Sequence, residues 1–164
     1  MVVLFHVSQT ESMTTLSASD LVQFQRQYRF AGGRLRRIRV RNRTGEDPTI
    51  DVFLAVRPAS AGLNEAAPRI LLRLTFLGVD EFRFQKRPAT PAGKIPDCRF
   101  GYFQGQYFVT FDAWGLSPGE VPKVHDFRAS DAYIASRDLR WEMIERKKYP
   151  VTLSIVSEPS PLPS

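Results

Sequence analysis

Apolar and polar residues alternate most regularly between residues 97 and 113, where the chain also carries a turn signal. A two-residue turn at Gln104-Gly105 sets the register of a hairpin, because loop length decides which residues lie opposite each other. The pairs that this turn places opposite each other are Tyr102 with Tyr107, Phe100 with Val109, and Cys98 with Phe111. All six fall on one face, so the turn and the hydrophobic pattern predict the same β-hairpin with one buried face.

Three further segments have strand patterns. Residues 34–42 read RLRRIRVRN, in which basic and apolar side chains alternate, and residues 49–56 are an apolar, β-branched run that follows turn residues. Over residues 70–84, apolar side chains before and after Gly78 keep one parity. That pattern predicts either two half-buried strands or one strand kinked near Gly78.

Two segments fit both helical and strand spacing. Residues 17–29 favour a helix that Gly32-Gly33 would end, although their alternation also suits a strand. Residues 136–148 fit either a helix or an alternating strand. A compact turn at 147–150 before the apolar run 151–156 favours the strand, as one half of a closing hairpin.

These patterns predict an α+β fold, predominantly antiparallel β, built as a single sheet or sandwich with one or two short helices. With 164 residues, 43% of them hydrophobic, the chain has the size and composition of one globular domain. We assign residues 1–156 to that domain and residues 157–164, rich in Pro and Ser, to a C-terminal tail. No stretch approaches the roughly 20 apolar residues of a membrane span, and we expect a cytoplasmic protein. The single cysteine, Cys98, is expected to be a small buried hydrophobe.

The net charge of +6 comes from one segment of the chain. Between Asp20 and Glu46 there is no acidic residue, and this window holds eight arginines. Removing those eight from the 23 basic residues leaves 15 against 17 acidic residues, so the rest of the chain is slightly acidic. Because a guanidinium group pairs bidentately with carboxylate or phosphate, the window predicts a surface that binds an anion.

If residues 34–42 form a strand, Arg37, Arg39 and Arg41 share one face and make a basic stripe. The candidate partner-binding residues are therefore Arg34, Arg36, Arg37, Arg39, Arg41 and Arg43. The alternative interpretation is a solvated face whose arginines pair with acidic neighbours such as Asp51 across the sheet. Phe103 and Phe108 lie opposite the buried face of the hairpin. They would be aromatic contacts for nucleic-acid bases if that side is exposed, and core residues if it is covered.

Common catalytic and cofactor motifs do not occur in the sequence. It has no GxGxxG segment, no Walker-type loop and no GxSxG elbow. The two histidines, His6 and His125, cannot supply a histidine-rich zinc site, although His125, Asp126 and Asp131 could gather a metal. General acid–base chemistry by His125, Asp126 and Asp112 would make the protein a hydrolase. We expect these residues to serve as loop caps and surface ion pairs, with no catalytic residue, cofactor or metal.

The segment LLRLTFLGVDEFRF, residues 71–84, is an apolar strand that carries the pattern Phe-x-Gly-Val-x-x-Phe. It resembles a pattern in small β-rich immunity proteins of bacterial toxin–immunity systems and in related uncharacterised bacterial proteins. The resemblance implies a non-catalytic binder of a partner protein, and it transfers no functional residue to this chain. Many immunity proteins are acidic to match basic nuclease toxins. The basic balance of this chain departs from that pattern, which argues against a nuclease partner.

Charge pattern and resemblance lead to the hypothesis of a non-catalytic binding module. It would contact a protein partner or another anionic surface through the basic strand face. The first alternative is a nucleic-acid-binding protein that uses the same arginines. The second is a hydrolase centred on His125 and Asp126. The sequence leaves the oligomeric state open.

Overall fold

A computed structural model describes residues 13–85, 93–113, 116–117 and 119–144. Within these ranges the chain forms one open, seven-stranded antiparallel sheet with two short α-helices, which confirms the α+β fold class. The strands are β1 (Thr14–Thr15), β2 (Tyr28–Arg41), β3 (Thr49–Pro58), β4 (Ile70–Phe84), β5 (Arg99–Phe103), β6 (Gln106–Thr110) and β7 (Ala132–Ile144). The helices are α1 (Leu21–Gln27) and α2 (Val124–Arg128), and short 3-10 turns occur at Ala18–Asp20 and Ala59–Ala61. The sheet order is β2-β3-β4-β7-β6-β5, and β1 also pairs with β7.

The predicted hairpin is confirmed as β5 and β6. The register is the predicted one, with the pairs Tyr102–Tyr107, Phe100–Val109 and Phe103–Gln106. Gln104 has a φ of 50° and Gly105 a φ of 80°, the left-handed conformation that a type I′ hairpin turn requires at both central positions. Tyr102 is the one member of the predicted apolar face that is exposed, at 44%, because it lies on an edge strand beside the turn.

Residues 70–84 form one continuous strand, β4, so the single kinked strand is the correct alternative. The kink is a β-bulge: the pairing of β4 with β7 shifts by one residue between Val79 and Glu81, and Gly78 takes a left-handed φ of 61°. Val79, directly after the left-handed Gly78, lies in the core at 4% exposure. Phe82, which shares the parity of the apolar residues before the bulge, is instead 47% exposed, because the pairing of β3 with β4 reaches only as far as Phe76.

The first ambiguous segment divides between the two predicted structures. Leu21 and Phe24 are buried at helical spacing on α1. Tyr28 and Phe30 are buried at strand spacing at the start of β2. The prediction that Gly32-Gly33 would end a helix is wrong, because both glycines lie inside β2. A Cβ at the second glycine would lie 2.9 Å from the carbonyl oxygen of Phe30, so close backbone packing requires glycine there.

The second ambiguous segment is strand β7, as its alternation favours. β7 lies inside the sheet and pairs with β4 along one side and with β6 and β1 along the other. Its predicted hairpin partner at 151–156 and the predicted tail at 157–164 lie outside the described residues. The closing hairpin therefore stays a prediction.

The two faces of the sheet are covered by different helices. On one side, which we call the core face, α1 contributes Leu21 and Phe24 to the main hydrophobic core. The sheet residues buried there include Ile50, Val52, Leu54, Val56, Leu72, Leu74, Phe76, Ile134 and Leu139. On the other side, which we call the outer face, α2 packs Phe127 on Phe103 and Phe108 at the end formed by β5, β6 and β7. The outer face of β2, β3 and β4 carries the basic stripe of Arg37, Arg39 and Arg41.

Candidate binding site on the outer face

The register of β2, β3, β4 and β7 arranges the outer face in rows of residues that lie directly opposite one another. The first row is Arg34, Ala55, Leu71 and Ile144, the second is Arg37, Phe53, Arg73 and Glu142, and the third is Arg39, Asp51, Thr75 and Arg140. Because side chains alternate along a strand, Arg41 extends this face beyond Arg39, and Arg57 extends it beyond Ala55. Arginines from four strands therefore share the outer face.

A β-bulge in β2 sets the orientation of the predicted stripe. Leu35 pairs with Leu54 and Arg37 with Phe53, so Arg36 is the extra residue on the β2 side. The bulge lets Leu35 and Ile38 both pack against the core, although they are three residues apart. Arg37, Arg39 and Arg41 consequently share the outer face, as the alternation in the sequence predicts.

Asp51 lies at the centre of the outer face and is fully buried, at 0% exposure. The hydroxyl group of Thr75 donates a hydrogen bond to its Oδ1 at 2.7 Å, and Nη2 of Arg39 donates to its Oδ2 at 2.9 Å. Nη2 of Arg41 and Nε of Arg73 also donate to Oδ1, at 3.2 and 3.4 Å. Both carboxylate oxygens are hydrogen-bonded to positively charged groups, which allows a charge to be buried here.

The same contacts lower the pKa of Asp51 from its ordinary value. Burial by itself raises the pKa, because it disfavours the charged form. The hydrogen bonds from Thr75 and Arg39 outweigh burial, together with the positive charges of Arg73 and Arg41. Asp51 is therefore ionised at neutral pH and neutralises part of the basic stripe.

Arg73 connects this carboxylate to the neighbouring strand on the other side. Its side chain is 9% exposed, and its Nη1 donates to Oε1 of Glu142 on β7 at 3.2 Å. Its guanidinium carbon lies 5.8 Å from the centre of the Phe53 ring. Asp51, Arg73 and Glu142 thus join β3, β4 and β7 through charged contacts across the outer face.

The structure divides the six predicted partner-binding arginines into two groups. Arg39 and Arg41 pair with Asp51, as the solvated-face interpretation expects, and their side chains stay 40% and 41% exposed. The other four make no side-chain hydrogen bond or ion pair with any residue that the structure describes. They are Arg34, Arg36, Arg37 and Arg43. These four positive charges remain available to a partner.

Two arginines that the sequence analysis did not single out belong to the same surface. Arg57 lies at the end of β3, and Arg69 lies one residue before β4. Because side chains alternate along β3, Arg57 lies on the same face as Asp51, and the sequence pattern alone could have predicted this. That both arginines adjoin Arg34 depends on the order of β2, β3 and β4 in the sheet, which the sequence pattern does not specify.

Phe103 and Phe108 do not form an exposed aromatic pair. Phe108 is 3% exposed and Phe103 is half-buried, because the Phe127 ring of α2 packs on both, with ring centres 5.6 Å and 6.0 Å away. The guanidinium carbon of Arg128 lies 6.0 Å from the centre of the Phe108 ring. Of the two alternatives for this pair, the structure shows the covered one, since α2 packs on this part of the outer face.

The residues considered for hydrolysis make contacts of a structural kind. Asp126 accepts a hydrogen bond at 2.7 Å from the backbone at the start of α2 and so caps the helix. The His125 side chain is 77% exposed, with Nε2 3.4 Å from Oδ1 of Asp126. Asp112 accepts a hydrogen bond at 3.0 Å from the hydroxyl group of buried Ser130. Within the described ranges, no three His, Cys, Asp or Glu side chains form a group that could hold a metal, so a site with Asp131 is not formed.

Cys98 lies in the core at 1% exposure, and burial raises the pKa of its thiol well above the ordinary value of 9.0. Only the thiolate reacts readily with disulfide reagents. We expect the native protein to react with an aromatic disulfide reagent at mildly alkaline pH at least about tenfold more slowly than the same protein in denaturant. Absorbance of the released thiolate measures both rates. Equal rates would show that Cys98 is accessible in the native state.

The two α-helices of the described part of the chain are seven and five residues long. No helix among the described residues is long and apolar enough to cross a membrane. No protein-family model, curated protein or solved structure matches this chain.

Proposed function

We propose that the protein is a non-catalytic binding module that contacts an acidic partner protein through the arginines of β2 and of the loop after it. The observation that carries the proposal is that four of these arginines, Arg34, Arg36, Arg37 and Arg43, have no acidic contact among the described residues. Their neighbours Arg39 and Arg41 are already paired with buried Asp51. A surface of unpaired guanidinium groups suits carboxylates that a partner brings.

The position of β2 in the sheet supports the same proposal. β2 is an edge strand. Its first half is covered by residues 93–95, since the backbone N–H of Leu35 donates to Gly93 at 2.6 Å and that of Gly32 donates to Ile95 at 2.9 Å. Over residues 36–41 no described segment pairs with this edge. A strand edge without a partner among the described residues can accept a strand from another chain, and its like charges disfavour a second copy while favouring an acidic segment.

The resemblance of residues 71–84 to bacterial immunity proteins supports a function of this class. The resemblance implies a protein that occupies a partner protein and performs no reaction of its own. The structural contacts of Asp112, Asp126 and His125 agree with a module without catalysis. The acidic partner that we propose differs from a basic nuclease toxin, in keeping with the basic charge of this chain.

The test compares two double variants that change the net charge equally. Arg37→Glu with Arg43→Glu alters the proposed surface. Arg26→Glu with Lys123→Glu alters two exposed basic residues on α1 and before α2. At about 150 mM salt, we expect the wild type and the second variant to retain the same acidic protein from a cell extract. Against the purified partner, the first variant should bind at least about tenfold more weakly.

Equal binding of the purified partner by both double variants would contradict the proposal, because the arginines would then be only solvated. A second outcome would replace the partner class. If nuclease treatment abolishes retention and purified nucleic acid binds with an affinity that falls steeply with salt, the arginines contact phosphates, and the nucleic-acid alternative is correct.

A further inference from the structure

Four arginines lie at the end of the sheet where β3 ends and β4 begins, and electrostatic repulsion links one of them, Arg69, to the other three. They are Arg34 and Arg36 on β2, Arg57 on β3 and Arg69 just before β4, and we call them the arginine cluster. Arg34 lies opposite Ala55, and Arg57 is two residues further along β3. Ile70, which follows Arg69, lies opposite Val56, which precedes Arg57. Arg36 and Arg69 are exposed, and the other two are half-buried, so solvent reaches the cluster.

The two members outside β2 are oriented by backbone carbonyl groups. Nε of Arg57 donates to the carbonyl oxygen of Ala67 at 3.1 Å, and its Nη2 donates to that of Glu65 at 2.6 Å. Nη2 of Arg69 donates to the carbonyl oxygen of Gly32 at 3.4 Å. A carbonyl oxygen orients a guanidinium group without neutralising its charge. Since a guanidinium group has five N–H donors, most of the donors of both residues remain open to a ligand.

Positive charges predominate around Arg69. Desolvation lowers the pKa of Arg69, and the charges of Arg57, Arg34 and Arg36 lower it further. Glu65 acts in the opposite direction. The register adds two more basic residues nearby, since Arg29 lies opposite Arg57 and Lys94 lies opposite Arg34. This contrasts with the centre of the outer face, where Asp51 and Glu142 neutralise Arg73.

We propose that the arginine cluster is a binding site for a small phosphate-type anion of the pyrophosphate class. Guanidinium forks bind phosphate oxygens bidentately, and several forks from neighbouring strands suit an anion with several charges and several oxygens. A single carboxylate would leave most of the excess charge unpaired. The shared chemistry is the pyrophosphate group, which is present in free inorganic pyrophosphate and in nucleoside diphosphates. The site requires no protein partner, so the inference goes beyond the proposed function and does not depend on it.

Isothermal titration calorimetry of the full chain at low salt, with inorganic pyrophosphate, orthophosphate and ADP as separate probes, tests the site. The cluster variant is Arg36→Gln with Arg69→Gln, which leaves Arg57 and its loop contacts unchanged. The control variant, Arg26→Gln with Lys123→Gln, removes the same charge elsewhere. We expect pyrophosphate to bind the wild type more tightly than orthophosphate does. The cluster variant should lose about tenfold or more in affinity, and the control variant less than about threefold.

A second variant separates charge from geometry. Arg36→Lys with Arg69→Lys keeps both charges but removes the planar forks, and we expect an affinity between those of the wild type and the glutamine variant. Thermal unfolding of each variant establishes that it is folded. Tighter binding of ADP than of pyrophosphate would assign the site to nucleotides, and the reverse order would assign it to the free anion.

Two results would overturn the inference. One is a wild type that binds pyrophosphate no more tightly than orthophosphate. The other is a control variant that loses as much affinity as the cluster variant, which would show attraction by net charge alone. Neither result would bear on capture of an acidic protein, because that experiment changes Arg37 and Arg43, outside the cluster.

Discussion

Replacing Asp51 by Asn should lower the free energy of unfolding by about 3 kcal/mol. The substitution keeps the shape of the side chain but removes a buried negative charge that Arg39, Arg41 and Arg73 contact. Arg73 is the most affected of the three, because its side chain is only 9% exposed, whereas those of Arg39 and Arg41 are 40% and 41% exposed. Removing one partner of a buried ion pair is costly, because the charge that stays behind loses an interaction that offset its burial.

Urea denaturation at neutral pH measures this effect, and a surface aspartate provides a matched control. Asp138 is 36% exposed at its side chain, and its Oδ2 lies 3.4 Å from Nε of Arg140. Because exposed ion pairs contribute little, Asp138→Asn should cost less than about 1 kcal/mol. Equal losses at Asp51 and Asp138 would mean that burial of the Asp51 charge does not stabilise the outer face.

The contribution of Asp51 should also depend on pH in a definite direction. Its pKa is lowered in the folded protein, whereas in the unfolded chain it is near the ordinary value of 3.8. The stability that ionised Asp51 contributes is therefore complete above the unfolded pKa and is lost as pH falls through the lowered folded pKa. The difference in unfolding free energy between the wild type and Asp51→Asn should stay constant from about pH 7 to pH 5 and shrink below about pH 4. A difference that grows on acidification would contradict the lowered pKa.

Replacing Phe127 by Ala should cost about 3 to 5 kcal/mol of unfolding free energy. The side chain is fully buried, and its ring packs on Phe103 and Phe108. It also lies over Gly101, where an added Cβ would be 3.0 Å from the tip of the ring. A helix of five residues is not stable by itself, so this ring is the main apolar contact that holds α2 on the sheet.

The matched control is a phenylalanine on the same sheet that packs less tightly. Phe82 is 47% exposed, and Phe82→Ala should cost about 1 kcal/mol or less. Thermal or urea unfolding of both variants measures the contrast. Similar losses at the two positions would mean that α2 is held by contacts other than the Phe127 ring.

Much of the fold could be predicted from local pattern. In the hairpin of β5 and β6, the turn residues and the period of two specify the same register, and both signals act over a few residues. The boundary between α1 and β2 was harder to predict. Leu21 and Phe24 follow helical spacing, Tyr28 and Phe30 follow strand spacing, and the two patterns overlap, so the chain changes structure at Tyr28 without a breaker residue.

The candidate site was predictable only in part. Alternation along β2 correctly assigned Arg37, Arg39 and Arg41 to one face, and Asp51 was the expected acidic neighbour of the stripe. The complete burial of Asp51 could not be predicted, because Arg73 and Thr75 come from β4, more than 20 residues further along the chain.

The sequence by itself indicated most of the strands, the turn of the hairpin, a helix before Tyr28 and the concentration of arginine on β2. These properties depend on side-chain periodicity, turn conformation and composition, which act over a few neighbouring residues. Only the tertiary structure decided that Arg39 and Arg41 share the buried carboxylate of Asp51, that Arg57 and Arg69 lie near Arg34, and that Phe108 is covered by α2. Charge pairing and burial depend on which distant strands and helices become neighbours, and the free energy of packing the whole sheet decides that order.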